Sequence, residues 1–149
     1  MSSIPHDLSQ IKAFVLDMDG VVSANVSPVG PDGMPMRTVN VKDGYAMQYA
    51  VKQGYTLAVI SGGASEAMTE RFRNLGAKYI YMRISDKARQ LELLCEESGL
   101  RPEEIAYIGD DIPDIPVMRL VALPCRRRPR GQVHRQVHLP LQWGLRRSA

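Results

Sequence analysis

The stretch "AFVLDMDGVV" sets Asp17 and Asp19 two positions apart, directly after a short apolar run. In an extended chain, side chains two apart leave on the same side. Two neighbouring carboxylates repel unless a cation or a shared proton relieves them. A second acidic pair, Asp110 and Asp111 in "AYIGDDIPD", follows another apolar run. Brought together, these groups form a hard-oxygen cage suited to Mg²⁺. Such a cage invites a phosphate: one carboxylate can attack phosphorus, and the other can protonate the departing oxygen and then activate water. "VISGG" supplies Ser61 and the Gly62 and Gly63 amides to hold phosphate oxygens, and Lys87 adds a positive charge.

Each motif also has a plain structural reading. "DMDG" can be an acidic turn, Ser61 a turn or cap residue, Lys87 a solvated surface lysine and "GDDIPD" a hydrated loop. An EF-hand loop is a poor fit to "DMDG", because no third acidic position and no twelfth-place Glu follow. What favours chemistry is that all four motifs recur at equivalent places along the chain.

Those places are the ends of strands. "KAFVLD" (12–17), "YTLAVISGG" (55–63), "AKYIYM" (77–82) and the apolar part of "PEEIAYIGDD" (102–111) read as four strands. Residues 21–41 carry a hairpin signal at Asp32-Gly33. Helices are predicted over 43–54, ended by Gly54, over 65–75, stopped by Gly76, and over 87–99, capped by Ser85 or Asp86. A short helix follows in "IPDIPVMRLV". Alternating strands and helices imply an α/β fold: a Rossmann-like three-layer sandwich with a mostly parallel sheet. In such sheets the chemistry collects at the carboxyl ends of the strands.

With 149 residues, 44% of them hydrophobic and 23% charged, the chain fits a single globular domain. No apolar run is long enough to span a bilayer, and the first residues lack a secretory pattern, so a cytoplasmic protein is expected. Cys95 and Cys125 read as two reduced thiols. The net charge of +3 hides a division: residues 1–125 carry −4, whereas 126–149 hold seven arginines and no acid.

"DMDGV", "ISGG", Lys87 and "GDDIPD", in this order and spacing, resemble the four motifs of the haloacid dehalogenase superfamily of aspartate-nucleophile phosphatases. "NVKDGYAMQYAVKQGY" and "AYIGDDIPDIPVMRLVALPC" are similar to its small, capless 3-deoxy-D-manno-octulosonate 8-phosphate phosphatase family. The resemblance covers about residues 8–125. It implies Asp17 as nucleophile and magnesium ligand, and Asp19 as general acid/base, holding the metal through its backbone carbonyl. Asp110 would complete the metal site, supported by Asp111 and Asp114, while Ser61 and Lys87 bind phosphate. Asn40, Val41, Lys42, Asp43, Gly44 and Arg71 would lie against the sugar acid, with Gly62 and Gly63 beside the substrate. The same resemblance implies a hairpin flap at about 23–39, no large cap domain, and a homotetramer built through that flap. The implied activity is hydrolysis of an octulosonate phosphate through an aspartyl-phosphate, in lipopolysaccharide precursor synthesis. Gln48 and Gly63 stand where some members carry arginine, which keeps a nonulosonate 9-phosphate of the sialic acid type as an alternative substrate.

The domain reading is therefore 1–125 for the phosphatase unit and 126–149 for an atypical basic tail. The family continues past "LPC" with a Pro-Ala-Asp-Ala-like segment, a strand, a "GGxGxVR" loop and a final helix; this tail has no acids, periodicity or caps. With suitably chosen codons, a one-base shift across Arg126–Pro129 gives Ala-Asp-Ala, and across Gln142–Ser148 gives Ser-Gly-Gly-Cys-Gly-Gly-Val. The expectation is a change of reading frame near codon 125, by mutation or sequencing error. Two rival classes are a non-catalytic remnant and a protein whose basic tail, with Trp143, binds nucleic acid, a weak signal for an unstructured segment.

Overall fold

The computed structural model describes residues 8–126. A 3₁₀ turn at Leu8–Gln10 leads into β1 (Ala13–Leu16), and α1 (Val41–Lys52) precedes β2 (Thr56–Ile60). Then come α2 (Glu66–Asn74), β3 (Tyr79–Tyr81), α3 (Lys87–Ser98), a 3₁₀ turn at Pro102–Glu104 and β4 (Ile105–Gly109). A last 3₁₀ turn at Ile112–Asp114 runs into the short α4 (Ile115–Met118), followed by β5 (Leu123–Arg126).

The strands form one parallel sheet in the order β3-β2-β1-β4-β5. β1 is central, with Leu16 opposite Val59 on one side and Ile108 on the other. The order reverses at β1: the chain winds outward to β3, then returns to place β4 on the opposite flank. The crevice past the carboxyl end of β1 is thus the topological switch point, where this architecture binds ligands.

Alternation along the strands builds two cores. Ala13 and Val15, with Ala58, Ile60, Ile105 and Tyr107, pack against Leu91 and Leu94 of α3 and Val117 of α4. Leu16, Leu57 and Val59 face the other way, onto Met47 of α1 and Met68, Phe72 and Leu75 of α2 and its end. Helices therefore cover both faces of the sheet, giving the three layers expected from strands without polar alternation.

The helix ends follow the cap residues. Ser65 Oγ accepts from the Met68 N–H at 3.2 Å, and Asp86 Oδ1 from the Arg89 N–H at 3.0 Å, each cap worth about 1 kcal/mol. Ser65 and Leu75, read as helical, are the caps of a helix one residue shorter at each end. α1 starts two residues earlier than predicted, because Asn40 Oδ1 accepts from Lys42 N–H at 2.9 Å and caps it.

Two features differ from the sequence reading. The segment 23–39 folds back on itself, with a turn over Gly30–Gly33 and one antiparallel bridge between Val29 and Pro35, rather than as two regular strands. Pro28, Pro31 and Pro35 remove the amide donors a longer ladder needs. The fifth strand, Leu123–Arg126, pairs along β4 despite Pro124. Residues 127–149, on which the frame-shift and nucleic-acid readings fall, lie outside the described residues.

Candidate active site at the carboxyl edge of the sheet

Asp17 is the first residue past β1, and its N–H still donates to the Ile108 carbonyl at 2.9 Å. The chain then turns back sharply. The Met18 carbonyl accepts from Val22 and Ser23 at 2.9 Å, and Gly20 adopts φ +83°, the left-handed region glycine tolerates. A Cβ at Gly20 would overlap the Asp110 carboxylate, so the turn and the β4 loop require a glycine there.

Lys87 opens α3, and its buried Nζ lies 3.0 Å from Asp17 Oδ1 and 2.7 Å from Asp114 Oδ1. Asp17 Oδ1 also accepts from the Met18 N–H at 2.7 Å, which fixes the carboxylate plane. Asp114 is fully enclosed. Its Oδ1 takes a second bond from the Tyr107 hydroxyl at 2.6 Å, and its Oδ2 accepts from the Asp110 and Asp111 N–H groups at 3.0 and 3.2 Å. Gly109 is again obligatory, since a Cβ would stand 2.5 Å from Asp114 Cγ. Asp114 thus locks the β4 loop that presents Asp110.

Charge follows this geometry. Burial pushes the Asp17 carboxyl up to about 6, against the pull of Lys87 and with the help of Asp114. Burial acts the same way on Asp114, but bonds from Lys87, Tyr107 and the loop amide outweigh it and hold the group below the usual carboxylate range. Burial opposes the Lys87 charge, yet its bond to Asp114 and the Asp17 carboxylate keep it above the ordinary lysine value. The centre is an ammonium gripped between two carboxylates.

Ligand oxygens of Asp17, Asp110 and Asp114 lie within 4.8 Å of one another. Three hard oxygen donors around one lysine retain net negative charge, which a divalent cation neutralises. Asp19 stands apart from this cluster by its side chain: its carboxylate meets Arg37, Nε to Oδ1 at 2.8 Å and Nη2 to Oδ2 at 3.0 Å.

The other predicted residues divide. Ser61 is buried past β2, its Oγ accepting from Gly63 N–H at 3.2 Å while its own N–H and carbonyl bond Tyr81 and Ile84. Gly63 accepts from the Arg83 N–H at 3.0 Å, tying the two loops together, while Gly62 is exposed. Arg83 takes φ +59°, left-handed for a non-glycine. Gly44 is buried against Arg71, whose Nη2 would sit 2.7 Å from a Cβ there, and among the described residues the buried Arg71 Nε has no hydrogen-bond partner. Asn40 spends its side chain on the α1 cap, Val41 and Lys42 are exposed, and Asp43 lies in the first turn. Asp111 supports the loop through its N–H, while its own carboxylate accepts from Ile112 N–H at 2.7 Å. Gln48 is exposed.

Two site residues escaped the sequence reading. Tyr107 reads as strand core, and its only signal was that a buried hydroxyl seeks a partner. Arg37 sits among prolines and glycines, where no periodicity indicates its reach.

A parallel α/β sheet with an acidic cluster at its switch point is the architecture of the α/β hydrolases built on a Rossmann-like core. The haloacid dehalogenase-like hydrolase family model matches residues 41–121, and the chain belongs to that family. It is 34% identical over 122 residues to the 3-deoxy-D-manno-octulosonate 8-phosphate phosphatase KdsC of Salmonella typhimurium, covering 80% of this chain and 65% of that protein. Among solved structures, a probable YrbI family phosphatase from Pseudomonas syringae matches with TM-score 0.76 and 34% identity, over 80% of this chain and 69% of that one. The 3-deoxy-D-manno-octulosonate 8-phosphate phosphatase of Moraxella catarrhalis, solved with magnesium, phosphate and KDO, matches with TM-score 0.73 and 31% identity, over 77% and 66%. The chain spans 60–65% of the length of the curated relatives it matches.

Proposed function

We propose that the protein is a Mg²⁺-dependent phosphatase that hydrolyses 3-deoxy-D-manno-octulosonate 8-phosphate to the free sugar acid and phosphate. The observation that carries the reading is the Lys87 bridge between Asp17 and Asp114 beside Asp110, at the carboxyl edge of a sheet like that of the octulosonate phosphatases.

Asp17 and Asp110 are the carboxylates that would hold Mg²⁺, with the Asp19 carbonyl, while Asp114 and the Asp111 N–H stiffen the loop. Bound there, the cation supplies charge neutralisation for the phosphate and carboxylates that must meet. Asp17, oriented by Lys87 and the Met18 N–H, attacks phosphorus and forms an aspartyl-phosphate as the sugar oxygen leaves. Asp19 donates a proton to that oxygen, then takes one from the water that cleaves the acyl phosphate. Lys87 and the Gly62–Gly63 turn line the phosphate position, and Arg71, whose Nη2 lies beside Gly44, would bind the sugar acid's carboxylate.

The same proposal includes a cytoplasmic enzyme of lipopolysaccharide precursor synthesis, assembled as a homotetramer through the 23–39 flap. No helix among the described residues is long and apolar enough to cross a membrane. Val26, Val29, Met34 and Met36 of the flap are exposed, as are Tyr45 and Tyr49 of α1, an apolar surface of the kind subunits cover. Native mass spectrometry of the full chain tests the assembly. The activity test compares Mg²⁺-dependent phosphate release from the octulosonate 8-phosphate with that from a nonulosonate 9-phosphate. Higher kcat/KM for the first supports the proposal; preference for the second, or release from neither, overturns the substrate assignment.

A further inference from the structure

Arg37 carries the returning arm of the flap to the site through its side chain. That side chain is only 7% exposed, although the Asp19 carboxylate it grips is 43% exposed. Its fork meets both Asp19 oxygens, and Nη1 donates to the Ala64 carbonyl at 3.1 Å. The guanidinium is thus fixed by the protein on its inner side, with the carboxylate standing on its outer side. A side-on fork uses one lone pair on each oxygen and leaves a second on each for a proton.

Gly63 makes this possible. A Cβ there would lie 2.6 Å from Arg37 Nη2 and 3.0 Å from Asp19 Oδ2, so any side chain at 63 competes with the guanidinium for the same space. At its base Ser23 bonds the Met18 carbonyl and the Gly20 N–H, both at 2.9 Å, while Thr38 N–H to Ser23 Oγ at 3.1 Å, Ala24 N–H to Thr38 Oγ1 at 3.4 Å and the Val29–Pro35 bridge hold the flap to itself. Solvated ion pairs contribute little energy, but a bidentate fork whose guanidinium is enclosed defines direction as well as charge.

We propose that Arg37 is a positioning residue of the phosphatase: it aims the Asp19 carboxylate for proton transfer and couples the posture of the flap to the chemistry, in the space that Gly63 leaves open. This rests on the function proposed above, with Asp19 as acid/base. Arg37 acts through Asp19, so its loss falls on kcat rather than on KM.

The test uses the full chain with Mg²⁺ and the octulosonate 8-phosphate. Arg37→Ala is expected to lower kcat on the order of a hundredfold, the scale of a misaimed catalytic group, with KM within about threefold. Guanidinium at sub-denaturing concentration should restore part of the loss. Arg37→Lys, which keeps the charge without the fork, should not restore it. Gly63→Ala should fall in the same direction, and the double variant Arg37→Ala/Gly63→Ala no further than the worse single. Unchanged kcat in Arg37→Ala, an effect confined to KM, or full activity in Arg37→Lys overturns the proposal. Hydrogen exchange of the metal-free chain gives a readout independent of turnover: the Gly30, Met36 and Thr38 amides should open faster in both Arg37→Ala and Asp19→Asn, and unchanged exchange in both overturns the coupling. A parent chain without turnover defeats the function reading instead, and the exchange data still decide the clamp.

Discussion

Lys87 and Asp114, 27 positions apart in sequence, meet at 2.7 Å in the interior, and the same ammonium reaches Asp17 at 3.0 Å. One buried cation therefore joins the first and fourth strand ends across the switch point. Without it, two enclosed carboxylates would face each other uncompensated, and removing one partner of such a pair costs about 3–5 kcal/mol. Lys87→Met in the metal-free chain is expected to lose that much in urea unfolding and to abolish phosphate release. A loss below about 1 kcal/mol, the level of an exposed pair, contradicts the bridge.

Tyr107 tests the other side of Asp114. Tyr107→Phe keeps the ring in its core position but deletes the 2.6 Å bond to Asp114 Oδ1. A hydrogen bond to a charged group contributes about 1.5–3 kcal/mol, and that is the expected drop in unfolding free energy. Asp114 keeps Lys87 and two loop amides, so activity should weaken rather than vanish. A stability equal to that of the parent chain argues against the bond.

The acidic cluster makes stability depend on metal. Ligand binding to the folded state alone stabilises by about 2.7 kcal/mol at a hundredfold excess over Kd. Mg²⁺ should accordingly raise the thermal midpoint of the parent chain, and Asp110→Asn should remove most of that rise. Equal rises in both chains place the ion elsewhere.

Far from the site, Glu104 sets an acid limit on the fold. Its carboxyl is held down to about 2 by hydrogen bonds from Lys12, the Arg101 N–H and the Arg101 side chain. A depressed folded value means that its stabilisation is complete above the ordinary carboxyl value near 4.5 and drains away as pH falls toward 2. Glu104→Gln should lower the unfolding midpoint at neutral pH and converge on the parent chain as pH falls from about 4.5 to about 2. Parallel curves over that range would remove Glu104 from the acid limb.

The sequence made the strand ends legible because burial on both faces produces continuous apolar runs, and polar residues after such runs stand out. Gly54, Gly76 and Asp86 were readable as helix ends for equally local reasons: cap chemistry acts within three or four residues. Long-range pairing was not readable. Lys87 looked like a phosphate ligand, while its grip on Asp17 and Asp114 depends on α3 delivering its first residue beneath β1 and β4. Arg37 was invisible because the flap has no periodicity from which to project a side chain. β5 was missed because "LPCR" is short and contains a proline, so its strand character comes from the neighbouring β4 edge.

The central claim is that Asp17 carries the phosphoryl group. Quenching turnover of 3-deoxy-D-manno-octulosonate 8-phosphate with borohydride reduces an aspartyl-phosphate to homoserine, which peptide mass mapping can locate. The account predicts homoserine at position 17, dependent on Mg²⁺ and on substrate. Phosphate release with Asp17 unmodified, or homoserine at another aspartate, would contradict it.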